Sequence, residues 1–436
     1  MTTPFISANQ LRKNGQFAEA LAMYETHWSD ETLPRYEWDT WSYAFCLKKA
    51  NRYAELLDFC RKAYTSYPSF EALNTLYAWA IYYTTVRAEG VKEADLSKAA
   101  KGIIRLTTQS NVYAPYTLAV MKVMEVLAQK NKFPAKEILE WSALLDVSLL
   151  DTTPSSFVDK RGKTVALASK CEQFFGFRLK ALCLDEQHEA CIATSAQALS
   201  FLPKLHYGNE HWFRRYAALS YSKMGDFAQA LSLLQTIFSR KKDWFVASDI
   251  ASVLMKMERT EEAIDYLNTA AFGFGDMEKK VKVYKALAQA HSLLGAKELA
   301  LEYYELVALV RSDFGWAADI DTTIVLLDAG ITAGRFGSSL ALYERLKTSV
   351  VVGKTLAVAQ STFAKSEIRI IGSVLSILPN GKSGFVKAKF GKSYFFQFKD
   401  LVGKKTVQIG NEVSFQLAAA FDPKKQVAVE NAVVIM

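Results

Sequence analysis

Apolar side chains recur at intervals of three and four residues from near the N-terminus to about residue 360. This is the period of an amphipathic α-helix that buries one stripe of its surface. A clear example contains Tyr53, Leu56, Cys60 and Tyr64. Strand-like alternation of apolar and polar residues is scarce before residue 368. The pattern therefore predicts one helix after another over most of the chain.

A short motif recurs along this helical region: a glycine or polar turn, a large residue, and then a small residue inside the next helix. The most complete copy begins at Gly225 and continues through Phe227 to Ala230. Further copies begin at Gly15, Glu258, Gly295 and Gly334. The clearest small-residue positions are 230, 263, 300 and 339, at spacings of 33, 37 and 39 residues. Periods of this length are typical of stacked helical hairpins.

This motif resembles the tetratricopeptide repeat (TPR), in which a tight turn joins the two helices of each repeat. Tyr221 and Pro68 match further positions of the family pattern, although most copies lack its terminal proline. The resemblance extends over roughly residues 5–350 and is degenerate between about 70 and 200. It implies a mainly α fold with a TPR-like α-solenoid at 1–350, and a different helical solenoid is the alternative.

The pattern changes after residue 367, where Val, Phe, Ile, Lys and Gly form short runs with alternation. The apolar runs lie at 368–378, 385–390, 393–398, 413–417 and 426–435. Turn residues such as Asn380-Gly381 and Gly391 separate them. About five short strands in ~70 residues suit a small closed barrel. We therefore predict a linker at 351–367 and a five-stranded β-barrel at 368–436.

The residues of this barrel resemble the cold-shock domain, which has an oligonucleotide-binding (OB) fold. The resemblance rests on four segments in matching order: Gly372-Ser373-Val374, Gly384-Phe385-Val386, the aromatic run 394–398 and the segment 410–415. It implies a barrel that binds single-stranded nucleic acid by stacking bases on aromatic rings.

Carried over residue by residue, the resemblance places stacking rings at Phe385, Phe395 and Phe398 and a base-edge amide at Gln397. Ser376 and Ser383 stand where the family has further rings. Each stacked base contributes about 1–3 kcal/mol, so the loss of two rings lowers the expected affinity.

Charge strengthens the nucleic-acid interpretation of the barrel. Residues 366–436 contain ten basic and five acidic residues, so they carry +5 of the chain's net charge of +8. Lysines attract phosphates whatever the base sequence, and the candidate contacts are Lys382, Lys387 and Lys392. In the alternative interpretation, the lysines protect strand edges and the phenylalanines fill the core.

Two basic-aromatic stretches are candidates for a binding groove in the helical region. Arg214 and Arg215 follow Trp212 in one helical unit, and Lys282 and Lys285 open another. The TPR resemblance implies that first helices line a concave groove, where these cations would contact an acidic peptide or a phosphate backbone. The alternative is a solvated helix face.

Composition and motifs favour binding over chemistry. Apolar residues make up 50% and charged residues 22% of the chain, as in ordinary globular proteins. Lys160–Thr164 and Val352–Thr355 resemble the end of a phosphate loop but lack its first glycine. The five cysteines show no CxxC spacing, and His206 and His211 lack further local ligands. We expect no catalytic residue, no metal and no cofactor.

No apolar stretch approaches the ~20 residues of a membrane-spanning helix, and no basic region followed by an apolar one opens the sequence. A cytoplasmic protein with no membrane partner is expected. The sequence predicts a non-enzymatic adaptor, with a helical scaffold for an unknown protein partner and a barrel that binds single-stranded RNA or DNA. One alternative is a purely protein–protein scaffold whose barrel is a partner dock or cap. A less favoured one is a subunit of a nucleic-acid-processing or phage-defence complex with its own activity.

Overall fold

The computed structural model describes residues 4–110, 114–331, 335–350, 369–402, 406–422, 427–433 and 435. The chain divides into two compact units, one of Met1–Asp276 with Gln289–Gly295 and one of Met277–Ala288 with Ala296–Met436. The predicted linker at 351–367 and Gly334 of the last predicted repeat lie outside the described residues.

The first unit contains helices that pack in consecutive pairs. They are α1 Pro4–Lys13, α2 Phe17–His27, α3 Glu37–Lys49, α4 Tyr53–Ser66, α5 Glu71–Ile81, α6 Glu93–Leu106, α7 Pro115–Ala128, α8 Ala135–Ser142, α9 Lys170–Leu184, α10 His188–Phe201, α11 Asn209–Lys223, α12 Phe227–Arg240, α13 Trp244–Lys256 and α14 Thr260–Phe272. A π-helical turn at Tyr82–Val86 continues α5. Successive odd-numbered helices from α1 to α13 also contact one another, so each pair stacks on the next.

The turn between the two helices of a pair has the same backbone geometry in many copies. Its key residue is left-handed, with φ between 55° and 86° at Gly15, Asn51, Glu186, Gly225, Glu258 and Gly295. In the Gly225 copy, the amide of Asp226 donates to the carbonyl of Tyr221, five positions earlier, at 3.0 Å. This hydrogen bond belongs to the Schellman ending of a helix.

The residue five positions after the left-handed one is buried in each of these copies. The six residues are Ala20, Leu56, Cys191, Ala230, Ala263 and Ala300, and none is more than 2% exposed. A small side chain here lets the second helix approach the first closely. The small-residue positions predicted from sequence are thereby confirmed as buried, including Ser339, which is 3% exposed.

A two-stranded antiparallel hairpin interrupts the helices between α8 and α9. β1 (Ser155–Val158) pairs with β2 (Thr164–Leu167), and Phe157 lies opposite Val165. The apolar pattern did not predict this hairpin, because its strands have four residues each and none of these residues is buried.

The second unit begins with helices and ends with the barrel. α15 spans Val281–Leu293, and its first eight residues belong to this unit. α16 (Lys297–Asp313) and α17 (Ile320–Asp328) follow, and residues 339–350 are also helical. None of the helices in the described ranges combines the length and the apolar character needed to cross a membrane.

The barrel is closed, with the strand order β3-β4-β5-β7-β6. Its strands are β3 Ile370–Ile377, β4 Ser383–Ala388, β5 Ser393–Gln397, β6 Glu412–Asp422 and β7 Val427–Val433. All neighbouring strands are antiparallel except β5 and β7. The core contains Val374, Val386, Phe396 and Phe415. The predicted fold class, a TPR-like α-solenoid followed by a five-stranded barrel, is confirmed.

The left-handed turn predicts opposite effects for the same glycine-to-alanine change at two positions of the first unit. Gly225 has φ +86°, so Gly225→Ala should lower the free energy of unfolding by about 1 kcal/mol. Gly102 lies inside α6, where an added Cβ would meet Ile81 at an ordinary 3.8 Å. Gly102→Ala should therefore raise that free energy by about 0.5–1 kcal/mol. Chemical denaturation of both variants gives the two values, and changes of the same sign would contradict the role of the turn.

Candidate nucleic-acid interface

One outward-facing row crosses four strands of the barrel. Ser376 on β3 pairs with Phe385 on β4, Phe385 pairs with Phe395 on β5, and Phe395 pairs with Asn431 on β7. Successive side chains of a strand point to opposite faces, and Phe396 is 1% exposed in the core. Phe395 and its cross-strand partners therefore lie on the outer face. We call Ser376, Phe385, Phe395 and Asn431 the ring row.

The two aromatic members of the ring row touch each other. The ring centroids of Phe385 and Phe395 are 5.7 Å apart, and the ring planes make an angle of 70°. Both side chains are half-buried, and neither belongs to the core cluster of the barrel. This edge-to-face pair is a favourable aromatic geometry that holds both rings on the outer surface.

Phe398 occupies a different environment from Phe385 and Phe395. It follows β5 in a short 3₁₀ turn at Phe398–Asp400 and packs against the barrel core. Its ring stacks on the buried ring of Phe396, with centroids 5.8 Å apart and planes 6° apart. The structure thus places two of the three predicted stacking rings side by side and the third against the core.

Gln397 and Lys382 lie at one end of the ring-bearing strands. Gln397 pairs with Ser383, and the amide of Phe398 donates to the carbonyl of Lys382 at 2.8 Å. The turn before β4 is fixed by Asn380, whose side-chain oxygen accepts from the Lys382 amide at 3.0 Å. Both Gln397 and Lys382 are exposed, so their polar ends are accessible to a ligand.

Lys387 extends the basic surface on the other side of the rings. It pairs with Ser373 on β3 and with Ser393 on β5, and it is exposed. With Lys389 it lines a shallow depression of about 390 Å³, beside Gly372. The Lys389 ammonium is 2.7 Å from the Glu412 carboxylate, which neutralises part of this region.

Lys392 lies in the turn between β4 and β5. Its ammonium is 5.1 Å from the ring centroid of Tyr394, and Tyr394 is 4% exposed. This cation–π contact places the Lys392 charge next to the barrel wall. All three predicted lysines are therefore on the surface, at different points around the ring row.

Two glycines of the barrel are required by close approach of the strands. A Cβ at Gly372 would lie 2.3 Å from the carbonyl oxygen of Lys387. A Cβ at Gly384 would lie 2.3 Å from the carbonyl oxygen of Ser376 and 2.9 Å from the ring of Phe396. Gly372 and Gly384 thus allow β3 and β4 to approach each other closely.

Three of the four cations predicted for the helical groove are held in ion pairs. Arg215 donates to Asp249 at 2.5 and 3.2 Å, and Arg214 donates to Glu210 at 3.1 Å. The Lys285 ammonium lies 2.8 Å from Asp319 and 2.9 Å from Asp321. Hydrogen bonding to Lys285 lowers the pKa of Asp319 to about 2.

The fourth predicted groove cation, Lys282, is exposed. The four cations thus do not form one accessible basic surface. Arg215 and Lys285 each bind a carboxylate 34 positions further along the chain, at Asp249 and Asp319, and so connect one helical hairpin to the next.

His206 has a structural partner in the first unit. Its ring Nδ1 is 2.9 Å from the carboxylate of Glu172, and its backbone amide donates to the same carboxylate at 2.6 Å. Asn209 adds a third hydrogen bond to Glu172 at 2.8 Å. The buried Glu172 side chain thereby connects the start of α9 to the segment before α11. Within the described ranges, no group of three or more His, Cys, Asp or Glu residues is placed to hold a metal ion.

Sequence reasoning missed a set of rings and cations on α1, α3 and α5 and at the π-helical turn that continues α5. We call it the aromatic–cation ladder, and its members are Arg12, Trp41, Phe45, Lys48, Trp79, Tyr83 and Arg87. The Arg12 guanidinium is 4.9 Å from the Trp41 ring, and the Lys48 ammonium is 4.6 Å from the Trp79 ring. The signal in the sequence was a pair of aromatic residues four positions apart that occurs twice, as Trp41 with Phe45 and as Trp79 with Tyr83.

The chain resembles known proteins in structure but not in sequence. No protein-family model matches the chain, and no curated protein sequence matches it significantly. Among solved structures, MamA AMB-1 is similar at 13% identity over 44% of this chain and 96% of that chain, with a TM-score of 0.32. The human IFIT1 dimer with PPP-AAAA is similar at 12% identity over 79% of this chain and 81% of that chain, with a TM-score of 0.33.

A tetratricopeptide repeat protein from Parabacteroides merdae is similar at 8% identity over 74% of this chain and 96% of that chain, with a TM-score of 0.30. Scores this low support no inference about a ligand. The repeat architecture of this chain rests on the helix pairs and turns described above.

The close strand approach predicts that Gly372→Ala loosens the barrel. The added methyl group would meet backbone atoms that cannot rotate away, at an expected cost of about 1–3 kcal/mol. Hydrogen–deuterium exchange of peptides from β3 and β4 should become faster. Gly337→Ala is the matched control, because a Cβ there has no atom within 4 Å. Unchanged exchange in the Gly372 variant would show that the strands tolerate a side chain at this position.

The Arg215–Asp249 pair predicts a large difference between two neighbouring arginines. Burial raises the pKa of Asp249, so its charge depends on Arg215. Arg215→Met should lower the free energy of unfolding by about 3 kcal/mol, because it leaves a mostly buried carboxylate without its partner. Arg214→Met removes a more exposed pair and should cost below about 1 kcal/mol. Equal losses in denaturant titrations would contradict the assignment of Arg215 to the interior.

Proposed function

We propose that this protein is a non-enzymatic adaptor whose barrel binds single-stranded RNA or DNA and whose helical array binds a protein partner. The observation that carries the nucleic-acid part is the ring row, in which Phe385 and Phe395 stand side by side on the outer face. Aromatic rings on a barrel surface suit unpaired bases, because every base has a flat face that can stack.

Charge around the ring row supports the same ligand. Lys382 is exposed at one end of the ring-bearing strands, and Lys387 is exposed two positions beyond Phe385 on β4. Lysines placed on both sides of stacked bases attract the phosphates that link those bases. Gln397, next to Phe398 and exposed, offers an amide to a base edge.

The ring row also limits the size of the site. Two rings hold about two bases, and the serines at positions 376 and 383 provide no further stacking surface. Phe398 supports the site indirectly, because its contact with Phe396 positions the end of β5. We therefore propose weak binding, with little sequence preference, to a short stretch of single-stranded nucleic acid.

The aromatic–cation ladder is the surface that we propose for the protein partner. Its rings and cations lie on α1, on α3, on α5 and at the π-helical turn that continues α5. Its six members from Arg12 to Tyr83 are half-buried, so each keeps some accessible surface. Trp38, beside Trp41, is 56% exposed. Aromatic rings with adjacent cations suit a polypeptide that carries apolar and acidic side chains.

A purely protein-binding barrel is the second candidate, and one observation favours it. Leu375 and Ile371 on β3 are each 48% exposed, and Ser376 and Ser383 stand where the resemblance would place rings. An apolar strand surface without a full set of rings also suits contact with a protein. Direct measurement of oligonucleotide affinity separates the two candidates.

The ring row predicts that Phe385→Ala and Phe395→Ala weaken binding of a fluorescent single-stranded oligonucleotide. Each substitution should cost about 1–3 kcal/mol, which corresponds to roughly 5- to 150-fold in Kd. Affinity should also fall as salt rises, because the lysine contacts release counterions. Fluorescence anisotropy with RNA and DNA strands of one sequence measures both effects.

Phe390→Ala is the matched control for this experiment. Phe390 is 64% exposed in the turn between β4 and β5, outside the ring row, so its loss should leave Kd unchanged. Equal losses at Phe390 and Phe385 would remove the ring row from the proposal. No measurable affinity at low salt would favour the protein-binding barrel.

A further inference from the structure

The β1–β2 hairpin extends into solvent on both of its faces. All four residues of β1 are exposed, and Thr164 and Ala166 on β2 are also exposed. An isolated hairpin with such short strands has little stability of its own. Neither face of the hairpin packs on a core, so its folded conformation depends on its attachment to the helices.

The base of the hairpin is attached at several points. The hydroxyl of Tyr207 donates to the carbonyl of Ala166 at 3.0 Å. The amide of Cys171, in the first turn of α9, donates to the carbonyl of Asp151 at 3.1 Å. Ala168, which follows β2, is 6% exposed. These contacts fix where the hairpin leaves the helical unit.

The tip of the hairpin is hydrogen-bonded and basic. The Asp159 carboxylate accepts from the backbone amides of Arg161 and Lys163, both at 2.9 Å, and Gly162 has φ 76°. The Asp159 amide donates to the Lys163 carbonyl at 2.9 Å, which leaves a three-residue loop at 160–162 that ends in a left-handed glycine, a standard hairpin connection. Lys160, Arg161 and Lys163 are all exposed, so the tip carries three cations and one carboxylate.

The strands behind the tip expose apolar side chains to water. Phe157 is 48% exposed and Val158 is 66% exposed. As neighbours on a strand they point to opposite faces, so each face of the ribbon presents an apolar group next to the basic tip. Three cations next to an exposed apolar group suit a ligand that offers phosphates beside an apolar surface.

We propose that the β1–β2 hairpin binds double-stranded DNA by entering the major groove. That groove is about 12 Å wide and admits a two-stranded ribbon. Lys160, Arg161 and Lys163 contact the phosphates, and the face of the ribbon that turns toward the bases brings either Phe157 or Val158 to apolar base edges such as thymine methyl groups. Duplex RNA is a poorer ligand, because side chains cannot reach into its deep and narrow major groove. This activity is separate from the single-strand binding proposed for the barrel.

The test uses the full chain and a fluorescent DNA duplex with blunt ends. Replacing Lys160, Arg161 and Lys163 together with Gln should weaken duplex binding by about tenfold or more at low salt. The slope of log K against log salt should become shallower by about three, close to one for each lost phosphate contact. Binding of a single-stranded oligonucleotide should be unchanged in this variant.

Two controls distinguish the hairpin from the barrel and from general charge loss. Replacing Lys62, Lys98 and Lys242, all exposed in the same unit, with Gln removes the same charge and should leave duplex affinity close to that of the parent. The ring-row variant Phe385→Ala should keep duplex binding. The single-strand affinity of this variant tests only the ring row, and its duplex affinity tests only the hairpin. The two proposals can therefore fail separately.

Three outcomes would overturn the hairpin proposal. The first is no measurable binding of the parent protein to the duplex at low salt. The second is an equal loss in the hairpin variant and the Lys62, Lys98 and Lys242 control. The third is a hairpin variant that keeps its duplex affinity but loses binding to polyglutamate, which would identify an acidic polypeptide as the ligand. Circular dichroism of the hairpin variant confirms that its helices are intact.

Discussion

The left-handed residue between paired helices is the constraint on which the helical unit depends. It reverses the chain after the first helix, and it places a buried residue of the second helix five positions later. The requirement is for a backbone angle, so Gly225, Asn51 and Glu258 all satisfy it with different side chains. Glycine does so without steric cost, whereas glutamate accepts strain that the packing of the pair maintains.

Much of this architecture could be predicted from the sequence because its signals are local. The glycine turns at Gly15, Gly225 and Gly295 each precede a buried small residue by five positions, and this constant spacing is visible without a structure. The barrel strands also follow from alternation and turn residues. The outward position of Phe395 does not follow from alternation alone, because both of its neighbours, Tyr394 and Phe396, are also aromatic and only the structure places them in the core.

Other features depend on contacts between distant residues and could not be predicted. The resemblance assigns a stacking role to Phe398, but this residue follows β5 in a 3₁₀ turn and its ring stacks on the buried ring of Phe396. Arg215 resembles a free groove cation until Asp249, 34 residues away, is placed beside it. The β1–β2 hairpin buries no apolar face, so the main signal used to find strands is missing from it.

The closure of the barrel has a consequence for how a ligand and the fold affect each other. Among the described residues, β5 and β7 share one registered pair, Phe395 with Asn431, whereas β6 and β7 share seven. The seam between β5 and β7 therefore passes through the ring row itself. A molecule bound at Phe395 would contact the strand pair that has the fewest registered partners among the described residues, so ligand binding and barrel closure become thermodynamically linked.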